Sequence, residues 1–325
     1  MAATADHIKA LVQAHADGDD RSFYSVALQV AAREARQGHT RAAAGLRDFI
    51  DATRAKRVGH LMPVSAARPD GELPGLLNLS QPDRGLDHMT LNPLLRERLL
   101  RVLSEQRQRG KLTEFGFSPV HRMLLTGPPG TGKSMSAAAL ACELGLPLFT
   151  IRLDGLISRF MGETAAKLRL IFEAVGRTRG VYLFDEFDAL GAERIAGNDV
   201  GEARRILNSF LIFLDELEPH SLVIAATNHA GLLDRALFRR FDLVIGYDSP
   251  GTAEAMDVLR RRLSLMDTTR VEWTGVVSEA VGLSHAELVA AAEAAAKQAI
   301  LGGSDVIDPA ALTVALAERR TATGA

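Results

Sequence analysis

Apolar positions return every three or four residues in three short stretches near the start of the chain. Ile8, Leu11, Val12 and His15 share one face. Phe23, Ala27, Val30 and Ala31 share a second, ended by Gly38, and Leu46, Phe49 and Ile50 mark a third. The pattern predicts a small N-terminal helical bundle over 1–57. Pro63, Pro69, Gly71, Pro74, Gly75 and Pro82 then interrupt any periodicity, so 58–85 reads as a linker. Leu91 to Lys111 returns as one charged amphipathic helix. After it, buried-type strands alternate with helices up to about Tyr247, the signature of a parallel sheet with crossover helices over 86–250. From Gly251 onward only helical patterns remain: Thr252 to Met266, Ser284 to Leu301 and Pro309 to Arg319, within a final segment 251–325.

Composition narrows this picture. The 325 residues have room for about two ordinary domains. A net charge of −2 supplies no overall basic field to recruit nucleic acid or an acidic membrane. The single cysteine, Cys142, excludes an internal disulfide framework and falls in an alanine-rich helical stretch that suits an inert thiol. The opening residues MAATADHIKA lack a charged leader followed by an apolar block. No apolar run reaches the ~20 residues of a membrane helix. The expectation is a cytoplasmic protein with no membrane segment.

Candidate chemistry begins at Gly127-Pro128-Pro129-Gly130-Thr131-Gly132-Lys133-Ser134, which matches G-x-x-x-x-G-K-[ST]. The run Arg122 to Thr126 before it reads as a strand, and Met135 to Leu144 after it as a helix. The glycines let main-chain N–H groups close round phosphates, Lys133 reaches the β- and γ-phosphates, and Ser134 can ligate Mg²⁺. The helix N-terminus adds its own polarity to the anion site. Val181-Tyr182-Leu183-Phe184-Asp185-Glu186 sets four apolar residues before two carboxylates. That suits a strand buried on both faces, whose end is either a solvated acidic turn or presents Asp185 to the magnesium shell and Glu186 to the attacking water as general base. Ser221 to Asn228 is a third buried strand, and Asn228 at its end can hydrogen-bond the γ-phosphate or the water. Arg239 and Arg240 are either solvated surface or fingers for a neighbour's γ-phosphate.

In order and rough spacing these motifs resemble the AAA ATPase module, and the resemblance runs from about Leu86 to the C-terminus. "LLTGPPGTGKS", "SRFMGETAAKLRLIFEAV", "YLFDEFDAL", "EARRILNSFL", "IAATN" and "LLDRALFRRFD" are similar to the katanin and spastin group. The resemblance implies an α/β P-loop fold of the AAA+ kind with a parallel-sheet nucleotide domain and an all-helical lid. ATP and Mg²⁺ would be bound by Gly127 to Ser134 and Asp185, with Ser134 and Asp185 as metal ligands. Glu186 would be the catalytic base, Asn228 the sensor, and a ring-forming homo-oligomer, usually a hexamer, the working form. The family often places two residues between its finger arginines, whereas Arg239 and Arg240 are adjacent, which leaves the choice between them open. "GLSHAEL" from Gly282 stands at the second-sensor position without an arginine, and Ser284 with Glu287 also fits a helix capping box.

The same resemblance gives meaning to Phe160-Met161-Gly162. In the family an aromatic, an apolar residue and glycine line the central pore and grip a polypeptide substrate, and methionine suits an adaptable grip. Burial of Phe160 in the core is the alternative. Gly197 to Arg205 stands where a second pore loop would lie. The stretches "VALQVAAREARQGH" and "LRERLLRVLSEQRQRGKL" are similar to stand-alone bacterial AAA ATPases, some encoded beside a subtilisin-like serine protease in defence pairs. The implied function is a protein unfoldase or remodeller. A nucleotide-gated switch that regulates a partner enzyme without threading is the alternative. H-E-x-x-H and G-x-S-x-G are both absent, so the chain shows no peptidase motif of its own.

Overall fold

The computed structural model describes residues 73–156, 163–189, 200–233 and 235–323, all within one compact unit. The expected N-terminal bundle, most of the linker and the triplet Phe160-Met161-Gly162 lie outside the described residues. So does the first part of the expected second pore loop. From Val200 that stretch is helix.

Six strands form one sheet: β1 (Leu77–Ser80), β2 (Arg122–Thr126), β3 (Leu148–Ile151), β4 (Val181–Phe184), β5 (Leu222–Thr227) and β6 (Leu243–Gly246), in the spatial order β1-β3-β4-β5-β2-β6. The last five are mutually parallel, with Met123 opposite Ile224 and Leu243, and Val181 opposite Leu222. The first four residues of β5 and all of β4 are apolar and buried, as strands covered on both faces must be. Successive side chains leave on opposite faces. Leu124, Phe184, Val223 and Ala225 therefore enter one core, with α5 (Glu163–Arg177) and α6 (Val200–Asp215). Met123, Leu125, Leu183 and Ile224 enter the other, with α1 (Pro93–Arg107) and α3 (Lys133–Leu144).

The segment from Leu77 corrects the linker expectation. Leu77–Ser80 pairs antiparallel with β3, Leu77 opposite Ile151 and Ser80 opposite Leu148, so the sheet is mixed at this edge. Four residues of alternating character, LNLS, are too short to show a period beside the prolines and glycines that flank them. The expected single helix from Leu91 to Lys111 is also two. Asn92 caps α1 by accepting the Leu94 N–H at 2.9 Å with Pro93 in its first turn. The chain then breaks at Gln108 before α2 (Arg109–Glu114). Two further single-turn helices, α4 (Leu153–Leu156) and α7 (Arg235–Phe238), sit in the crossovers.

The last segment is all helix, as its sequence predicts, with its own core. It comprises α8 (Thr252–Arg262), α9 (Trp273–Glu279), α10 (His285–Leu301) and α11 (Pro309–Thr323). The capping box is present: Ser284 Oγ accepts the Glu287 N–H at 3.4 Å and Glu287 Oε2 accepts the Ser284 N–H at 2.6 Å. Helix α9 has no expected counterpart because seven residues give too little periodicity; Arg260 of α8 stacks over its Trp273 ring at 5.0 Å. The helical segment meets the sheet domain through Thr90 Oγ1 donating to Asp257 at 2.7 Å and Arg261 donating to the Asp87 carbonyl at 2.9 Å.

Candidate active site

The turn between β2 and α3 is shaped by three glycines with positive φ: Gly127 at 142°, Gly130 at 73° and Gly132 at 99°. Side chains would also collide there. A Cβ on Gly127 would stand 2.1 Å from the Tyr247 carbonyl oxygen, and one on Gly130 would stand 2.6 Å from Ser284 Oγ. The loop is therefore a cradle whose close approaches require glycine. Lys133 is buried beneath it, and Nζ donates to the carbonyls of Gly127 and Pro128, both at 2.7 Å. Burial lowers the Lys133 pKa, against the opposing pull of Asp185 and Asp188. Thr131 Oγ1 donates to the Pro128 carbonyl at 2.8 Å, which stiffens the turn. Pro128, Pro129 and Ser134 are exposed at its mouth.

The carboxylates arrive on β4, the strand two places from β2. An aromatic cluster anchors that strand: Phe184 meets Phe210 at 5.1 Å and Phe172 meets Phe210 at 5.4 Å, both edge to face. Asp185 Oδ2 accepts the Ser134 hydroxyl at 2.6 Å, across the open carboxyl ends of β2 and β4. Its other oxygen accepts the Glu186 N–H at 3.0 Å. Glu186 is exposed with φ of 51°, the one non-glycine among the described residues in the left-handed region. Such a conformation costs on the order of 1–3 kcal/mol. Phe187, buried, fixes the turn by donating its N–H to the Ala226 carbonyl at 2.8 Å.

Asn228 follows β5, half-buried, and its main-chain N–H donates to Asp188 Oδ1 at 3.2 Å. The same oxygen accepts the Thr227 hydroxyl at 2.9 Å. Asp188 is thus the brace between the acidic turn and the Asn228 turn, a role its place in "YLFDEFDAL" did not reveal. Sequence reasoning also missed Tyr247, whose hydroxyl donates to Ser136 at 2.7 Å, while Ser136 donates to the Gly132 carbonyl at 3.0 Å. Burial pushes the Tyr247 phenol up to about 12, so it stays a neutral donor.

Arg239 and Arg240 follow α7, both exposed. Arg240 pairs with Asp215 at the end of α6, and Arg122 stands 3.9 Å from the same carboxylate. Arg239 has no ion-pair or hydrogen-bond partner among the described residues. Among the described residues no hydrogen bond or ion pair joins either arginine to Lys133, Ser134 or Asp185.

Beside the cradle lies a cavity of about 620 Å³, lined by Thr90, Leu91, Thr131, Tyr247, Glu254 and His285 among others. His285 opens α10, and both its ring nitrogens are buried without a hydrogen bond of normal geometry. Burial lowers its pKa, only partly opposed by Glu254 and the Thr90 main chain. The next residue, Ala286, donates its N–H to the Gly130 carbonyl at 3.1 Å, so the helical segment is hydrogen-bonded directly to the cradle. No cluster of three or more metal-ligating side chains occurs among the described residues. Ser134 and Asp185, already 2.6 Å apart, fit a cation that takes most of its ligands from phosphate and water.

A P-loop at the carboxyl end of a mostly parallel sheet, faced by paired carboxylates, is the layout of a P-loop nucleotide-binding fold. The family described as "ATPase family associated with various cellular activities (AAA)" matches residues 123–249. The AAA family ATPase y4kL of Sinorhizobium fredii is 36% identical over 242 residues, 73% of this chain and 72% of that protein. The chain belongs to the AAA family of ATPases, and ATP hydrolysis is its activity. The ATP-dependent zinc metalloprotease FtsH of Halothermothrix orenii is 36% identical over 176 residues, 52% of this chain and 28% of that protein. FtsH of Bacillus subtilis is 34% identical over 203 residues, 59% of this chain and 32% of that protein. The match therefore spans about a third or less of these FtsH proteins. No helix among the described residues is long and apolar enough to cross a membrane.

Proposed function

We propose that this ATPase is a ring-forming remodeller of polypeptides, in which each nucleotide site is completed by a neighbouring copy of the chain. The hydrolytic half rests on the 2.6 Å contact of Ser134 with Asp185 beside an exposed Glu186, and the observation that carries the shared site is Arg239, exposed and without an ion-pair or hydrogen-bond partner among the described residues. Lys133 leaves its two carbonyl acceptors for the phosphates of ATP, and the main-chain N–H groups of Gly130 to Ser134 hold the rest of the phosphate chain. Ser134 and Asp185 would hold Mg²⁺, which when bound would supply positive charge against the negative charge that develops on the phosphate oxygens. Glu186 takes the proton from the attacking water at its carboxylate, and Asn228 orients that water. Arg239 is the better finger for a neighbour's γ-phosphate, because Arg240 is held by Asp215. The cavity beside the cradle takes the base, with His285 at its wall.

Two things support the remodelling half: the sequence Phe160-Met161-Gly162 and the kinship with ATP-dependent proteases. A cytoplasmic hexamer with a separately encoded serine protease as companion belongs to the same proposal. The hydrogen bond from Ala286 to Gly130 favours a second reading, a nucleotide-gated switch, because it links the helical segment to the phosphate site. Unfolded casein separates the two. On the remodelling reading it raises ATP turnover in the wild type and not in Phe160→Ala. Casein leaving wild-type turnover unchanged would favour the switch.

A further inference from the structure

The opposite end of the sheet gathers basic side chains that form no ion pair among the described residues. Arg179 and His220 each lie two residues before a paired position, Val181 of β4 and Leu222 of β5, so the parallel register sets them side by side at the amino ends of the strands. The alignment continues past the strands. The Leu222 N–H donates to the Gly180 carbonyl at 3.0 Å and the Gly180 N–H to Ser221 Oγ at 3.4 Å. Arg109, the first residue of α2, reaches in from a third element and donates to the His220 carbonyl at 3.3 Å.

Most arginines nearby are paired: Arg107 with Glu143, Arg122 with Asp242 and Arg177 with Glu173. Arg109 and Arg179 have no ion pair among the described residues. Arg179 Nε is also shut away from solvent with no hydrogen-bond partner, which a guanidinium N–H seldom tolerates. The crowding of like charge is felt by Arg179 and His220. Burial and then Arg109 lower the Arg179 pKa, while burial, Arg109 and Arg179 lower that of His220. The nearby Glu218 contributes its main-chain carbonyl to the His220 N–H at 2.7 Å and forms no ion pair here.

We propose that Arg109, Arg179 and His220 form a binding site for a phosphate-type oxyanion at the amino ends of β4 and β5, separate from the nucleotide loop at the carboxyl end of β2. Two guanidinium forks and an imidazole supply directional donors from three elements, the arrangement that recognises a tetrahedral or carboxylate-like oxyanion. The occupant is either free phosphate or a phosphomonoester carried by another molecule, and both present the same oxygens. The site is independent of the remodelling reading.

Calorimetric titration of inorganic phosphate into the full chain carrying Lys133→Ala, at constant ionic strength, tests the proposal with the nucleotide loop disabled. One phosphate per chain is expected to bind. Adding Arg179→Gln should weaken it at least tenfold, and adding Arg109→Gln several-fold without lowering the melting temperature. Phosphoserine binding more tightly than phosphate would identify a phosphomonoester as occupant, and the reverse order the free anion. Absence of binding in the Lys133→Ala chain, or affinity unchanged by Arg179→Gln and Arg109→Gln, would overturn the proposal.

Discussion

Ser134 Oγ donates to Asp185 Oδ2 at 2.6 Å, although 51 residues separate them in sequence. The contact exists because β2 and β4 are parallel strands flanking β5, so both residues emerge at the carboxyl end of the sheet. It brings together the two side chains proposed as ligands of one cation.

Hydrolysis should depend on Glu186 far more than binding does. Glu186→Gln keeps the size and the left-handed turn but removes the base. Turnover should fall roughly 10²- to 10⁴-fold with ATP affinity retained. Single-turnover kinetics beside calorimetric ATP binding check this; near-normal turnover would assign the base elsewhere.

Asp188 braces two turns through one oxygen, accepting from Thr227 Oγ1 and the Asn228 N–H. Asp188→Ala leaves both donors without their acceptor and should cost about 1–3 kcal/mol in chemical denaturation. Because the Asn228 turn loosens, kcat should fall more than KM rises. Thr227→Val, which removes one donor, should cost less. A stable Asp188→Ala enzyme with wild-type kcat would show that the brace is dispensable.

Asp242 gives the fold an acid-sensitive joint. Burial alone would raise its pKa, but hydrogen bonds from His121 and Arg122 outweigh that and hold the carboxyl well below the usual range. A depressed carboxylate contributes stability that is fully present above its unfolded pKa of about 4 and is lost as pH falls towards the folded value. Asp242→Asn should therefore destabilise by about 1–2 kcal/mol at pH 7, moderated by partial exposure. The gap to wild type should narrow below about pH 4. A gap that stays constant from pH 7 to pH 3 would contradict the assignment.

Phe160 lies outside the described residues, so its role rests on sequence and needs its own test. As a substrate-gripping residue it should be dispensable for basal hydrolysis and stability, and Phe160→Tyr should keep most function because the flat ring persists. As a core residue, Phe160→Ala would cost about 3–5 kcal/mol and lower every activity together. Melting temperature and basal ATPase on one Phe160→Ala sample distinguish the two; a large loss of stability would remove the pore-loop reading.

What was legible in the sequence follows from how local each signal is. The P-loop and the ends of β4 and β5 are contiguous strings, and the strands and the helix expected around them are present. The edge strand Leu77–Ser80 was hidden because four residues among prolines carry no period, and only its pairing with β3 makes it a strand. Asp188 was quoted inside a motif without a role, because its role comes from Thr227 and Asn228, about 40 residues away. Two adjacent identical letters could not tell Arg239 from Arg240; only the fold shows that Asp215, at the end of α6, pairs with Arg240. His285 likewise gains meaning only where α10 meets the cavity beside the P-loop.

The central claim, that a neighbouring copy completes each nucleotide site, is tested most directly by mixing two inactive chains. Lys133→Ala lacks the phosphate-binding lysine, and Arg239→Ala lacks the finger but keeps an intact P-loop. A finger is worth roughly 10³- to 10⁵-fold in related phosphoryl transfers, so each chain alone should be nearly silent. In a mixed assembly, an intact P-loop from one chain can meet an intact Arg239 from the other. ATP turnover should then rise well above the sum of the separate chains and grow more steeply than protein concentration. Turnover equal to that sum at every ratio and concentration would contradict the account.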